Sequence, residues 1–257
     1  MNIKCLVATH KKYQMPEDKM YLPIHVGREG KEDIGYLGDN TGDNISQKNS
    51  CFCELTGLYW AWKNLDADYK GLAHYRRHFK GRTRGNTPFD KVLTKKEAER
   101  LFKETDIILP KKRNYWIETV YSHYVHTHFK QDLDITEAVL KDMYPEYVDA
   151  YHTVMNRKKV HMFNMIIAKQ EIFDSYCEWL FSILFEIEKK MDVSNYTAFQ
   201  ARVYGRISEM LLDVWLLQNG YSYKEVPFIY MEPISWFKKG KAFLSAKFFH
   251  KKYTGSF

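Results

Sequence analysis

"YKGLAHYRRHFKGRTR", residues 69–84, begins as an apolar run and ends in cations. Gly71-Leu72-Ala73 has the character of a buried strand. His74-Tyr75-Arg76-Arg77 sits where that strand would end, with Lys80, Arg82 and Arg84 after it. In open α/β sheets, ligands bind beyond the carboxyl ends of the strands. Arginines placed there offer planar forks that grip phosphate through paired hydrogen bonds. A solvated basic loop, or arginines paired with core carboxylates, is the competing reading, and the sequence leaves both open.

The flanking segments supply the rest of a layered fold. "IKCLVATH" (3–10) reads as a buried first strand with a polar end at Thr9-His10-Lys11. "MYLPIHVG" (20–27) is a second short strand, and Pro23 argues for an edge position. "LGDNTGDNISQKNS" (37–50) has the composition of a loop. "CFCELTGLYWAWKN" (51–64) carries Phe52, Leu55, Leu58, Tyr59 and Trp62 at helical spacing, with Ser50 as the expected N-cap. Thr94 with Glu97 forms a capping-box signature at the start of "LTKKEAERLFKE". "DIILP" (106–110) is another strand, and a helical stretch over about 116–155 breaks near Lys130 and Pro145. "HMFNMIIA" (161–168) reads as a strand before the amphipathic helix "QEIFDSYCEWLFSILFEIEKK" (170–190). A second long helix is expected from Tyr196 to Leu217, then a late strand in "YKEVPFIYME" (223–232). Alternating strands and helices predict one α/β domain with a mostly parallel sheet.

A chain of 257 residues can bury a large core, and 45% hydrophobic with 28% charged residues is ordinary for a globular protein. The net charge of +7 and pI near 9.0 favour anionic partners. Four cysteines are too few for a disulfide scaffold, and Cys51-x-Cys53 lacks the second pair of a zinc site. No apolar run reaches membrane-span length, and the amino-terminal run is too short for a signal peptide, so a cytoplasmic protein is expected.

Several constellations carry candidate chemistry. Asp39, Asn40, Asp43, Asn44 and Ser46 suit a ribose, base edge or sugar, and suit equally well the turns that Asx residues build around their own backbone. Asp66-x-Asp68 has the form of a metal-diphosphate pair but precedes its strand, where a helix-to-strand turn is the simpler reading. His123, His126 and His128 lack zincin spacing, and His128 with Asp132 is a candidate acid–base pair. Arg202, Arg206, Glu209 and Asp213 fall on one helix face, either as an ion-pair row or as a general base, Glu209, flanked by cations.

"GDNTGDNIS", "CELTGLYWAWKN", "GLAHYRRHF", "DIILP", "FNMIIAKQEIFDSYCEWLFSIL" and "RVYGRISEMLLDVWL" follow one another in this order. In this the chain resembles a family of bacterial capsular and exopolysaccharide proteins, long a domain of unknown function and now treated as glycosyltransferases. The likeness runs from about Lys4 to Met231, and the family is similar to GT-A glycosyltransferases. It implies a GT-A-like single domain over 1–233, with added late helices, followed by a basic aromatic tail over 234–257. It further implies transfer of a hexose, galactose or galactofuranose among the candidates, from a UDP-sugar co-substrate. The acceptor would be a polyprenyl-diphosphate-linked saccharide.

Within that resemblance, Thr9, His10, Lys11 and the Asp39–Ser46 loop would hold the nucleotide. His74, Arg76 and Arg77 would hold the diphosphate, Tyr75 and Arg206 would belong to the nucleotide-sugar site, and Asn164 would touch donor or acceptor sugar. Glu209 would deprotonate the acceptor, as suits inversion, with His128 and Asp132 as the alternative base. His-Tyr-Arg-Arg replaces the Asp-x-Asp of most GT-A enzymes, which leaves a Mn or Mg requirement open. The tail carries Lys238, Lys239, Lys241, Lys247, Lys251 and Lys252 among phenylalanines and no acid. It suits an anionic bilayer, so peripheral attachment to the inner face of the plasma membrane is expected. A non-catalytic polyanion or nucleic-acid binding module is the competing class. It would have no use for Asp39, Asp43 and Glu209 at the site, and no nucleic-acid partner is expected.

Overall fold

The computed structural model describes residues 1–233. Strands β1 (Ile3–Thr9), β2 (Tyr21–His25) and β3 (Leu37–Gly38) are parallel neighbours, and β4 (Tyr69–His74) lies parallel on the other side of β1. The sheet continues from β4 through β9 (Ile166–Lys169) to β6 (Ile107–Pro110) and β10 (Lys224–Val226). Only β9 runs against the others along this path, so the sheet is mostly parallel, as expected. A short arm, β5 (Arg77–Phe79) with β11 (Phe228–Tyr230), folds off the end of β4. A separate ribbon joins β7 (Arg113–Asn114) to β8 (Lys159–Val160).

Side-chain alternation explains why both faces are covered. On β1, Leu6 and Ala8 enter one core cluster while Cys5 and Val7 enter the other. The first cluster is covered by α2 (Leu55–Asn64), α7 (Gln170–Lys190) and α8 (Val203–Gln218). It extends into α4 (Val120–Thr127), α5 (Lys130–Met143) and α6 (Val148–Met155). The second cluster packs beneath α3 (Lys95–Leu101), whose Thr94–Glu97 capping box forms as predicted. At Gly71 a Cβ would stand 2.6 Å from the Ile166 carbonyl oxygen, so the close approach of β9 to β4 requires glycine.

Four elements differ from the sequence reading. The helix predicted from Cys51 is broken. Its first turn, α1 (Asn49–Phe52), contains Ser50 rather than being capped by it, and Cys53 at φ 56° separates it from α2. "HMFNMIIA" is strand only from Ile166, because Phe163 and Asn164 form a left-handed turn. The last long helix starts at Val203, not near Tyr196. The late strand is two strands parted by Pro227, which has no N–H to give a ladder. Pro23 is tolerated because β3 pairs only with Ile24 and His25, leaving β2 an edge at the proline. Among the described residues no helix is long and apolar enough to cross a membrane. The expected basic tail, 234–257, lies outside the described residues.

Candidate active site

His-Tyr-Arg-Arg is a tight turn between two strands. His74 pairs with Arg77 across it, and the His74 Nδ1 accepts the Arg76 backbone N–H at 3.2 Å. Tyr75 is buried and anchors the turn: its backbone N–H donates to the Ala8 carbonyl, and its ring meets Tyr13 and His10 edge-on. The arginines are thereby left at the carboxyl edge of the sheet. Arg77 lies over the Phe163 ring at 4.4 Å. The Nε atoms of Arg76 and Arg77 are both buried and have no hydrogen-bond partner among the described residues. Burial, then the charges of Arg77 and Arg76, hold His74 well below the ordinary imidazole value, so it is neutral.

These residues open into a cavity of about 830 Å³ between the sheet edge, α4 and α8. Five arginines line it: Arg76, Arg77, Arg113, Arg202 and Arg206. Arg202 donates Nε–H to the Cys53 thiol sulfur at 3.0 Å. Arg206 donates to the carbonyls of Phe199 and Gln200 and stacks on the Phe199 ring. Among the described residues, Arg76, Arg77, Arg113 and Arg206 have no carboxylate within ion-pair distance. The cavity wall is therefore strongly cationic on this side.

Two carboxylates face the same cavity, Glu54 and Glu209. The Phe163 backbone N–H donates to Glu209 Oε1 at 3.0 Å, and Asn164 Nδ2 donates to Glu54 Oε1 at 2.9 Å. Asn164 also donates to the Gly205 carbonyl and accepts the Ser208 hydroxyl, which fixes the turn to α8. Burial, then the charge of Glu54, pushes the Glu209 carboxyl up to about 7 against the Phe163 N–H, Arg77 and Arg113. Cys53, Trp116, Phe163 and Asn164 are the non-glycine residues at positive φ among the described residues. The first three line the cavity and the fourth adjoins it, so backbone strain is concentrated here.

His74, Arg76, Arg77, His128, Arg206 and Glu209 are thus brought together as the sequence suggested, with Asn164 supporting the floor. Others are placed differently. Thr9 is buried and its hydroxyl donates to the Lys11 carbonyl, while Lys11 lies over the Tyr75 ring and His10 is exposed. Asp39 is 0% exposed and accepts the N–H groups of Gly27 and Arg28 and the Ser46 hydroxyl. Asp43 accepts the Tyr59 hydroxyl, Asn44 caps the Ser46 N–H, and Asn40 packs on Gly38. None of these loop residues lines the cavity.

The expected His128–Asp132 pair does not form. His128 Nδ1 meets Gln200 Oε1 at 2.7 Å, while Asp132 accepts the hydroxyls of Tyr124 and Tyr196. Asp213 turns from Glu209 to the fully buried His161, which also meets Glu225.

The site also contains Glu54, Arg113 and Trp116, which sequence reasoning passed over. Glu54 read as the interior of one helix, and only the break at Cys53 turns it inward. Asp66-x-Asp68 lies at the opposite edge of the sheet, where the Asp68 carboxylate accepts the Asn2 N–H. Among the described residues, no three His, Cys, Asp or Glu are grouped to hold a metal.

A solved structure described as the apo form of the bifunctional glycosyltransferase WbbM superposes with a TM-score of 0.82 at 32% sequence identity. The match covers 91% of this chain and 46% of that one, so this chain spans under half of WbbM's length. No curated protein sequence matches. The profile of the family described as "Domain of unknown function (DUF4422)" matches residues 4–220, and the chain belongs to that family.

Proposed function

We propose that this chain is a glycosyltransferase that moves a hexose from a UDP-sugar to an acceptor hydroxyl, with inversion. The observation that carries the reading is the cavity itself. Five arginines and two carboxylates meet at the carboxyl edge of a GT-A-like sheet. The likeness to WbbM, a bifunctional glycosyltransferase, supports it.

In the reaction the acceptor oxygen attacks the anomeric carbon from the face opposite the diphosphate. The bond from that carbon to the diphosphate oxygen breaks, its electron pair leaves with UDP, and the acceptor proton passes to Glu209. Charge grows on the departing diphosphate, where Arg76 and Arg77 are already fixed. Preorganised donors at developing charge are the largest usual source of rate enhancement. A carboxyl near 7 suits a general base at physiological pH. A plain polyanion binder has no use for Glu54 and Glu209 facing its ligand.

The acceptor in this reading is a polyprenyl-diphosphate-linked saccharide of capsule or exopolysaccharide synthesis, met at the inner face of the plasma membrane. The six lysines between 238 and 252 supply the attraction to anionic lipid. Titration calorimetry with UDP, UDP-glucose and UDP-galactose, followed by a UDP-release assay, tests the proposal. Binding of at least one nucleotide is expected, and no heat with any of them overturns the reading.

A further inference from the structure

Glu54 and Glu209 come from separate parts of the chain, the corner before α2 and the middle of α8, yet one turn holds both. Phe163 and Asn164 are consecutive residues at φ 76° and 53°. That conformation is costly for residues other than glycine and persists only where surroundings impose it. It points the Phe163 N–H at Glu209 and the Asn164 amide at Glu54. In each carboxylate Oε1 is engaged, while Oε2 has no protein partner among the described residues.

We infer that Glu54 is the positioning partner of Glu209, the two carboxylates being held as one unit by the Phe163–Asn164 turn and aimed into the cavity. The inference rests on the base role given to Glu209 above.

The charges around Glu209 show why a partner is needed. Arg77 from β5, Arg113 from β7, Arg202 at the N-cap of α8 and Arg206 within it all stand near it. These cations draw Glu209 toward its ionised form, and burial is the largest effect that opposes them. Among the described residues, Glu54 is the other acidic group lining the cavity, and its charge adds to burial in holding Glu209 near 7. Two close carboxylates resist double ionisation, which keeps one of them ready to take a proton. Glu54 itself need not touch the reacting atoms.

The test uses the full chain labelled with ¹³C at glutamate carboxyls and no ligand. The Glu209 resonance is assigned by its loss in Glu209→Gln. Its midpoint is then followed by NMR from acid to neutral pH in wild type and in Glu54→Gln. In Glu54→Gln the midpoint is expected to fall by about one pH unit, a tenfold loss of proton affinity. A midpoint that does not move overturns the inference.

If Glu54→Gln fails to fold, wild type still decides. A coupled partner gives the Glu209 resonance a two-step curve, and a simple single-step curve overturns the idea. The base role fails by a different result: normal transfer by Glu209→Gln would remove it while leaving this titration standing.

Discussion

Arg77→Met separates a ligand-binding arginine from a structural one. Arg77 lies on the Phe163 ring with its Nε buried and unpartnered, and no carboxylate is within ion-pair distance among the described residues. Burial, then the charge of Arg76, lowers its pKa. The sign is informative. A cation whose folded-state pKa is depressed is less favoured in the folded chain than in the unfolded one, so its charge opposes folding. Methionine keeps the apolar stem on Phe163 and removes the charge. Some attraction to the ring is lost, about 0.5–2 kcal/mol, and the relief of burial offsets it. The melting temperature should therefore hold or rise. Binding of UDP should weaken by about 1.5–3 kcal/mol, the worth of a charge-assisted hydrogen bond, or roughly 10- to 150-fold in Kd. Scanning calorimetry and titration with UDP read the two quantities on one sample, with Arg100→Met on exposed α3 as the control. A clear drop in melting temperature with unchanged UDP affinity would refute the reasoning, because it would make Arg77 a structural group.

Three further outcomes follow from the same geometry. Glu209→Gln should cut transfer by about 10²–10⁴-fold with UDP affinity kept, and the wild-type rate should fall as pH drops through about 7, both read in a UDP-release assay. Burial lowers the pKa of His161, but its bonds to Asp213 and Glu225 outweigh this and raise it above its ordinary 6.5. Its stabilisation is thus full below that value and lost as pH rises through the folded value, so urea midpoints of wild type and His161→Gln should converge at alkaline pH. Asp39→Ala leaves the N–H groups of Gly27 and Arg28 unpaired and should cost about 1–3 kcal/mol in urea unfolding, with UDP affinity unchanged.

The arginine side of this cavity was legible because its signal is local. A buried strand followed at once by arginines needs only strand periodicity and the strand-end rule, and the turn at Tyr75-Arg76 follows from neighbours in sequence. The acidic side was half hidden. Glu209 could be found on a helix face, but Glu54 lies in a segment whose spacing fits one unbroken helix. Nothing in "CFCELTG" announces a left-handed cysteine. That conformation is imposed from outside, where the Asn49 amide takes the Cys53 carbonyl and Arg202 holds its sulfur. Phe163 and Asn164 were hidden the same way, inside an apolar run that reads as strand. The Asp39–Ser46 loop was ambiguous for a different reason, since an Asx residue that binds its own backbone and one that binds a sugar have the same composition. His128 and Asp132 sit four residues apart, but α4 ends at Thr127 and α5 begins at Lys130, so the helical spacing that would pair them is absent. What the sequence hid is therefore concentrated at residues whose backbone is set by distant contacts. Those are the residues that bring Glu54 to Glu209, so the strain and the candidate chemistry share one cause. A fold that imposes positive φ at Cys53, Phe163 and Asn164 accepts that cost to set two carboxylates against a field of arginines.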